Sequence, residues 1–169
     1  MNMLVTNGFS GENYGAWLNQ IMESAPCEWV VFHDHDIYWA NRNWYNIIQE
    51  SIELIPDAGL FTCVTNRIGN SEQKVATDKA NNDIKYHMQL ALEIEKREPR
   101  LIDLTDHRKI SGLVMVTNKT AWKASGGFRE RSGYIGVDNC YHGRIRKAGY
   151  KIYLMNNLYV YHWYRSSIE

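Results

Sequence analysis

The tetrad His33-Asp34-His35-Asp36 directly follows a short apolar run, Trp29–Phe32. Two carboxylates two positions apart, at the end of a strand, can converge on one hard cation. Mg²⁺ and Mn²⁺ prefer oxygen ligands and are held by one or two carboxylates plus substrate phosphates. Two other readings fit the same residues. One is a solvated acidic turn edged by histidines. The other is a transition-metal site built on His33 and His35, for which no third ligand lies close in sequence. A further carboxylate, Asp138, stands before an apolar-periodic stretch, where Asp commonly caps a helix. There the helix dipole favours its ionised form. His162 ends the run Tyr159-Val160-Tyr161, and its plain reading is a surface residue of an aromatic strand.

The elements that must carry these groups are legible from periodicity. Met3–Thr6 reads as a short strand and Asn7–Asn13 as a loop. Tyr14, Trp17, Leu18, Ile21, Met22 and Ala25 recur at helical spacing, and Pro26 ends that helix. Trp29–Phe32 is apolar throughout, as in a strand buried on both faces. A second helix fits Asn43–Ile55, a strand fits Gly59–Val64, and the polar stretch 66–83 is expected to be a mobile loop. Ile84 to Ile94 predicts a third helix and Leu113–Thr117 a strand. Asn118–Ser125 predicts a short helix with an Asn118 cap and a Gly126 stop. Asp138–Ala148 predicts a final helix closed by Gly149, and Lys151–His162 one or two strands. Strands alternating with helices imply one layered α/β domain over residues 1–169, with a mostly parallel central sheet flanked by helices. In such sheets ligands bind beyond the carboxyl ends of the strands, which directs attention to the residues just after Phe32, Val64 and Thr117.

Composition narrows the function classes. Apolar residues make up 44% of the 169 residues and charged residues 22%, a globular balance that argues against disorder. The formal net charge is zero, so the basic excess of a nucleic-acid binder is missing. Six Trp and eleven Tyr suit a core and also sugar-binding clefts. Cys27, Cys63 and Cys140 are odd in number and match no zinc spacing, so they read as reduced thiols of a cytoplasmic protein. No stretch reaches the roughly 20 apolar residues of a membrane span, and MNMLVTNGFS is no secretory signal. Any membrane role would be peripheral or supplied by a partner.

From Ser111 to His162 the chain reads SGLVMVTNKTAWKASGGFRERSGYIGVDNCYHGRIRKAGYKIYLMNNLYVYH. With VVFHDHD upstream, this resembles the family 2 glycosyltransferases and their GT-A, Rossmann-like fold. The matching pieces are a strand ending in Asp-x-Asp, a strand and short helix ending in Gly-Gly-Phe, an acidic residue opening a helix that contains Arg and ends in Gly-Tyr, and a late His. They cover residues 13 to 164, with Asn66–Ile110 unmatched. The resemblance implies that Asp36 ligates a Mn²⁺ or Mg²⁺ at the donor diphosphate. It implies that Asp34 contacts the donor ribose or the metal shell, and that His162 is a further metal or diphosphate contact. His35 and Gly112 join the donor contacts. Asp138 becomes the general base that deprotonates the acceptor hydroxyl. The implied donor is a nucleoside diphosphate sugar, a UDP-sugar first, and the acceptor is a saccharide or another hydroxyl.

Three departures from the family pattern stand out. The usual acidic pair is Val137-Asp138, which leaves one carboxylate. His35 sits inside the Asp-x-Asp. Only about thirty residues precede Asp34: either Met3–Thr6 is the first nucleotide-binding strand, or, as the closer match of ENYGAWLNQIMESAPCEWVVFHDHD favours, Asn13–Ala25 is the helix just before the metal strand and the nucleotide-base pocket is trimmed or absent. The leading expectation is an inverting, metal-assisted glycosyltransferase. The alternative is a non-catalytic nucleotide-sugar or glycan-binding domain, or one completed by a partner. An exposed strand at the missing edge would favour a homodimer.

Overall fold

The computed structural model describes residues 2–7, 12–77, 81–107 and 109–163. Its elements in chain order are β1 (Met3–Asn7), α1 (Tyr14–Ser24), β2 (Trp29–His33), β3 (Ile37–Trp39), α2 (Trp44–Leu54), β4 (Leu60–Thr65), α3 (Ile84–Ile94), β5 (Leu101–Asp103), β6 (Val114–Asn118), α4 (Lys119–Ser125), α5 (Val137–Lys147) and β7 (Ile152–His162). The expected helices form where the apolar stripes placed them. Asn13 caps α1 by accepting from the Ala16 N–H at 3.0 Å. Asn118 caps α4 through Ala121 N–H at 2.7 Å, and Gly126 ends it with φ +76°, a conformation that glycine adopts without strain.

The seven strands form one sheet in the order β1-β2-β6-β4-β7-β3, with β5 also on β7. This corrects the expected mostly parallel, Rossmann-like layered sheet. Only β1–β2 and β4–β7 are parallel, while β2–β6, β4–β6, β3–β7 and β5–β7 are antiparallel, and the mixed sheet curls into a half-barrel. The reason lies in burial. All five residues of β6 and all six of β4 are buried, so neither strand shows the alternation that marks an antiparallel strand with one wet face. A continuous apolar run then cannot report strand direction.

Helices cover the sheet unequally. Leu18 and Met22 of α1, Ala91 and Ile94 of α3, Trp122 of α4 and Tyr141 and Ile145 of α5 pack on one face against Val30, Phe32, Met115, Leu154 and Tyr159. The other face is covered by α2, through Ile47, Ile48 and Ile52 over Val31, Phe61, Val116 and Val160. Trp122 and Phe128 are buried core residues.

Two strands, β3 and β5, escape detection by periodicity because each is only three residues long. Both pair with one edge of β7, an eleven-residue strand whose register against β4 shifts where Met155 pairs with Cys63 and Tyr159 with Val64. The stretch 66–83 has no helix or strand among its described residues, and 78–80 lie outside them. It is nevertheless pinned through Gln73. That buried side chain donates to Thr62 Oγ1 at 2.8 Å and to the Ser111 carbonyl at 3.1 Å, and accepts from the Ser111 N–H at 2.7 Å.

Candidate functional site

The chain leaves β2 at His33, makes a tight turn through Asp34, His35 and Asp36, and returns as β3. Backbone bonds fix both ends of the turn: Asp34 N–H donates to the Leu113 carbonyl, and Trp163 N–H donates to the Asp36 carbonyl, each at 3.0 Å. The register of β3 on β7 sets Ile37 opposite His162. Asp36 immediately precedes Ile37, so strand pairing itself delivers its carboxylate to a histidine far away in sequence. His162 Nε2 lies 3.4 Å from Asp36 Oδ2.

Ligand atoms of Asp34, Asp36 and His162 all lie within 4.8 Å of one another. His162 is buried at 8% exposure, so the surface reading of this residue is replaced. Its Nδ1 sits 2.7 Å from the Arg67 carbonyl, which can only accept, so Nδ1 carries the hydrogen and Nε2 turns towards the carboxylates. A nitrogen lone pair facing two carboxylates is repulsive unless positive charge stands between them, as a proton or a cation. Two oxygen donors and one oriented imidazole fit a divalent cation of the Mg²⁺ or Mn²⁺ kind. The zinc reading on His33 and His35 does not form. His33 hydrogen-bonds the Asp34 carbonyl through Nδ1 and packs edge-on against Trp39, and His35 is exposed at the turn. His35 is therefore not among the converging groups.

Burial raises the Asp34 carboxyl from its ordinary range to about 6; His162 opposes the rise, while Asp36 and Asp138 add to it. An acid whose folded pKa is raised holds its proton more tightly in the native state than in the unfolded chain. Without a divalent cation, stability tied to that proton is full below about pH 4 and is lost as pH rises through about 6, a change on the order of 3 kcal/mol. Asp34→Asn is expected to flatten that slope. Denaturant melts between those pH values in chelator read it, and an unchanged slope in the variant would contradict the assignment. Mn²⁺ competes with the same proton, so its affinity should fall by about tenfold per pH unit below that pKa.

Asp138 lies in the first turn of α5 and does not cap it. The cap position is Gly136 at φ +73°, with no side-chain cap bond. The Asp138 carboxylate accepts from the Gly112 N–H at 2.9 Å through Oδ2 and from the Asn139 N–H at 2.7 Å through Oδ1. Gly112 permits this approach, because a Cβ there would sit 2.6 Å from the Asp138 Cβ. The expectation for Gly112 was a donor contact. What the structure shows for Gly112 is that its N–H holds Asp138, on the segment that Gln73 pins at Ser111.

Asp34 and Asp138 open onto one cleft of about 320 Å³, lined also by Tyr14, Gly112, Tyr134 and Ile135. Burial and the two carboxylates push the Tyr14 phenol above its usual range, which keeps it a neutral hydrogen-bond donor. In the sequence Tyr14 is legible only as a member of an apolar stripe. Tyr134 and Ile135 were not singled out there, although large apolar residues between Gly133 and Gly136 in a short loop are their own signal.

Asn19 ties this cleft to the scaffold. It accepts from Trp122 Nε1 and Phe128 N–H, both at 2.9 Å, and donates to the Phe128 carbonyl at 3.0 Å and to Glu130 Oε1 at 2.9 Å. The Asn-Tyr-Gly…Asn segment and the Gly-Gly-Phe turn are thus one physical unit. Gly15 completes it, since a Cβ there would fall 2.0 Å from the Arg129 carbonyl oxygen. Arg144 of α5 donates to the carbonyls of Gly126 and Gly127 at 3.0 and 2.8 Å. Asn19→Ala is expected to cost about 2–4 kcal/mol, because several polar groups lose their partners at once. Urea unfolding measures it, and a loss within error of zero would contradict this role.

The three cysteines are unpaired. Among the described residues no helix is long and apolar enough to cross a membrane. No protein-family model matches the chain, and no curated protein resembles it significantly.

Proposed function

We propose that this chain transfers a sugar from a nucleoside diphosphate sugar, a UDP-sugar first, to a hydroxyl acceptor with inversion at the anomeric carbon. The observation that carries this reading is the division of labour around one cleft. Asp34, which lines the cleft, belongs to a cation-fitting triad with Asp36 and His162, and a separate carboxylate, Asp138, lines the same cleft. A divalent cation held by the triad would supply charge to offset the departing diphosphate. The chain's own groups do the rest. Asp138 accepts the proton of the acceptor hydroxyl, and the freed oxygen forms a bond to the anomeric carbon. The bond from that carbon to the diphosphate oxygen breaks, and its electron pair leaves with the nucleoside diphosphate. Two backbone N–H groups, of Gly112 and Asn139, hold the Asp138 carboxylate. The free thiols suit a reducing, cytoplasmic compartment.

The test is release of nucleoside diphosphate from a panel of nucleotide sugars with Mn²⁺ and pooled hydroxyl acceptors, followed by NMR of the product anomer. Acceptor-stimulated release with inverted product is the expected result; a retained configuration would contradict it. A second reading is a binding domain without turnover, or one completed by a partner. The position of β1 at the end of the sheet, paired only with β2 among the described residues, favours it. Nucleotide-sugar binding with no release under any acceptor would select that reading.

A further inference from the structure

The loop between α4 and α5 presents two adjacent large apolar side chains to solvent, Tyr134 at 70% and Ile135 at 71% exposure. Such a pair is costly to leave in water unless something covers it. The loop carrying it is not loose. Gly133 N–H donates to the Glu12 carbonyl at 2.6 Å, Arg131 donates to the Ile135 carbonyl, and Gly133 and Gly136 take left-handed φ of +82° and +73°. The scaffold therefore holds an aromatic ring at the mouth of the cleft whose floor carries Asp34 and Asp138.

An apolar ring face beside carboxylates and a phenol donor matches a pyranose, which has an apolar C–H face and a rim of hydroxyls. Tyr14 and Tyr134 supply the aromatic walls, and Asp138 accepts from a hydroxyl. The cleft, at about 320 Å³, is at the small end of ligand sites, sized for a sugar unit and not for a long chain. We propose that Tyr134 is the platform that seats a saccharide acceptor over Asp138, so that the acceptor is a pyranoside and not a protein or lipid hydroxyl. This rests on the glycosyl-transfer reading above and narrows its acceptor to one class.

The test uses methyl pyranosides and their disaccharides as probes, at millimolar concentration, by saturation-transfer NMR on the full chain. Wild type, Tyr134→Ala and Tyr134→Trp are compared; the exposed position leaves folding intact, and melting curves verify that. Binding by wild type, loss by about tenfold or more in Tyr134→Ala, and retention in Tyr134→Trp are expected, because stacking is what the ring provides. Equal pyranoside binding by wild type and Tyr134→Ala would overturn the proposal. So would binding of a nucleoside diphosphate with Mn²⁺ but of no pyranoside, a result that leaves the donor reading standing. Sedimentation with phosphatidylcholine vesicles that Tyr134→Ala abolishes would overturn it too, by making the pair a membrane contact.

Discussion

Asp138→Asn is expected to lower acceptor-dependent sugar transfer by about 10²–10⁴-fold while leaving metal-dependent nucleotide binding unchanged. Asparagine keeps one oxygen, which can accept from the Gly112 N–H, and gives up only the bond from the neighbouring Asn139 N–H. What disappears is proton affinity, since an amide cannot take the acceptor proton. The substitution thus separates the base from the scaffold. The measurement is kcat for transfer beside a nucleoside diphosphate titration on the same preparation. Loss of both would mean that Asp138 belongs to the donor side, and loss of neither would remove it from the chemistry. Gly112→Ala offers a geometric control: its Cβ would collide with the Asp138 side chain and displace the carboxylate without changing its type.

Asp36→Ala is expected to have the other large effect, on cation binding. Removing groups that merely orient a ligand costs about 10–100-fold in metal affinity, so deleting a ligand itself should cost more. The loss should exceed that of His162→Gln, in which a polar side chain remains beside Asp36 and the Arg67 carbonyl. Manganese titration followed by electron paramagnetic resonance reads both variants directly. Equal Mn²⁺ affinity in wild type and Asp36→Ala would rule out the triad as the cation site.

Much of this site was legible because its parts lie beside local signals. Trp29–Phe32 is apolar throughout and ends at the acidic turn. Asn118 and Gly126 mark a cap and a stop, and Asp138 begins a periodic stretch. The direction of the strands was not legible. Strands buried on both faces, such as β6, lose the alternation that separates antiparallel from parallel, and the expected parallel sheet is in fact mixed. Nor was the meeting of Asp36 with His162 derivable from spacing. It depends on β3, three residues whose strand character comes from pairing with β7 and not from any periodicity of their own. The role of Asn19 shows a third limit. A polar residue on an amphipathic helix looks solvated until the turn that it anchors, more than a hundred positions on, is folded against it.

Everything proposed for the donor side depends on Asp34, Asp36 and His162 holding a divalent cation that carries a nucleoside diphosphate. The decisive experiment is calorimetric titration of a nucleoside diphosphate panel, with and without Mn²⁺, on wild type and Asp36→Ala. Wild type should bind one diphosphate only when Mn²⁺ is present, and the variant should bind none. Binding that is indifferent to Mn²⁺, or unchanged in Asp36→Ala, would refute the cation site and the donor reading with it.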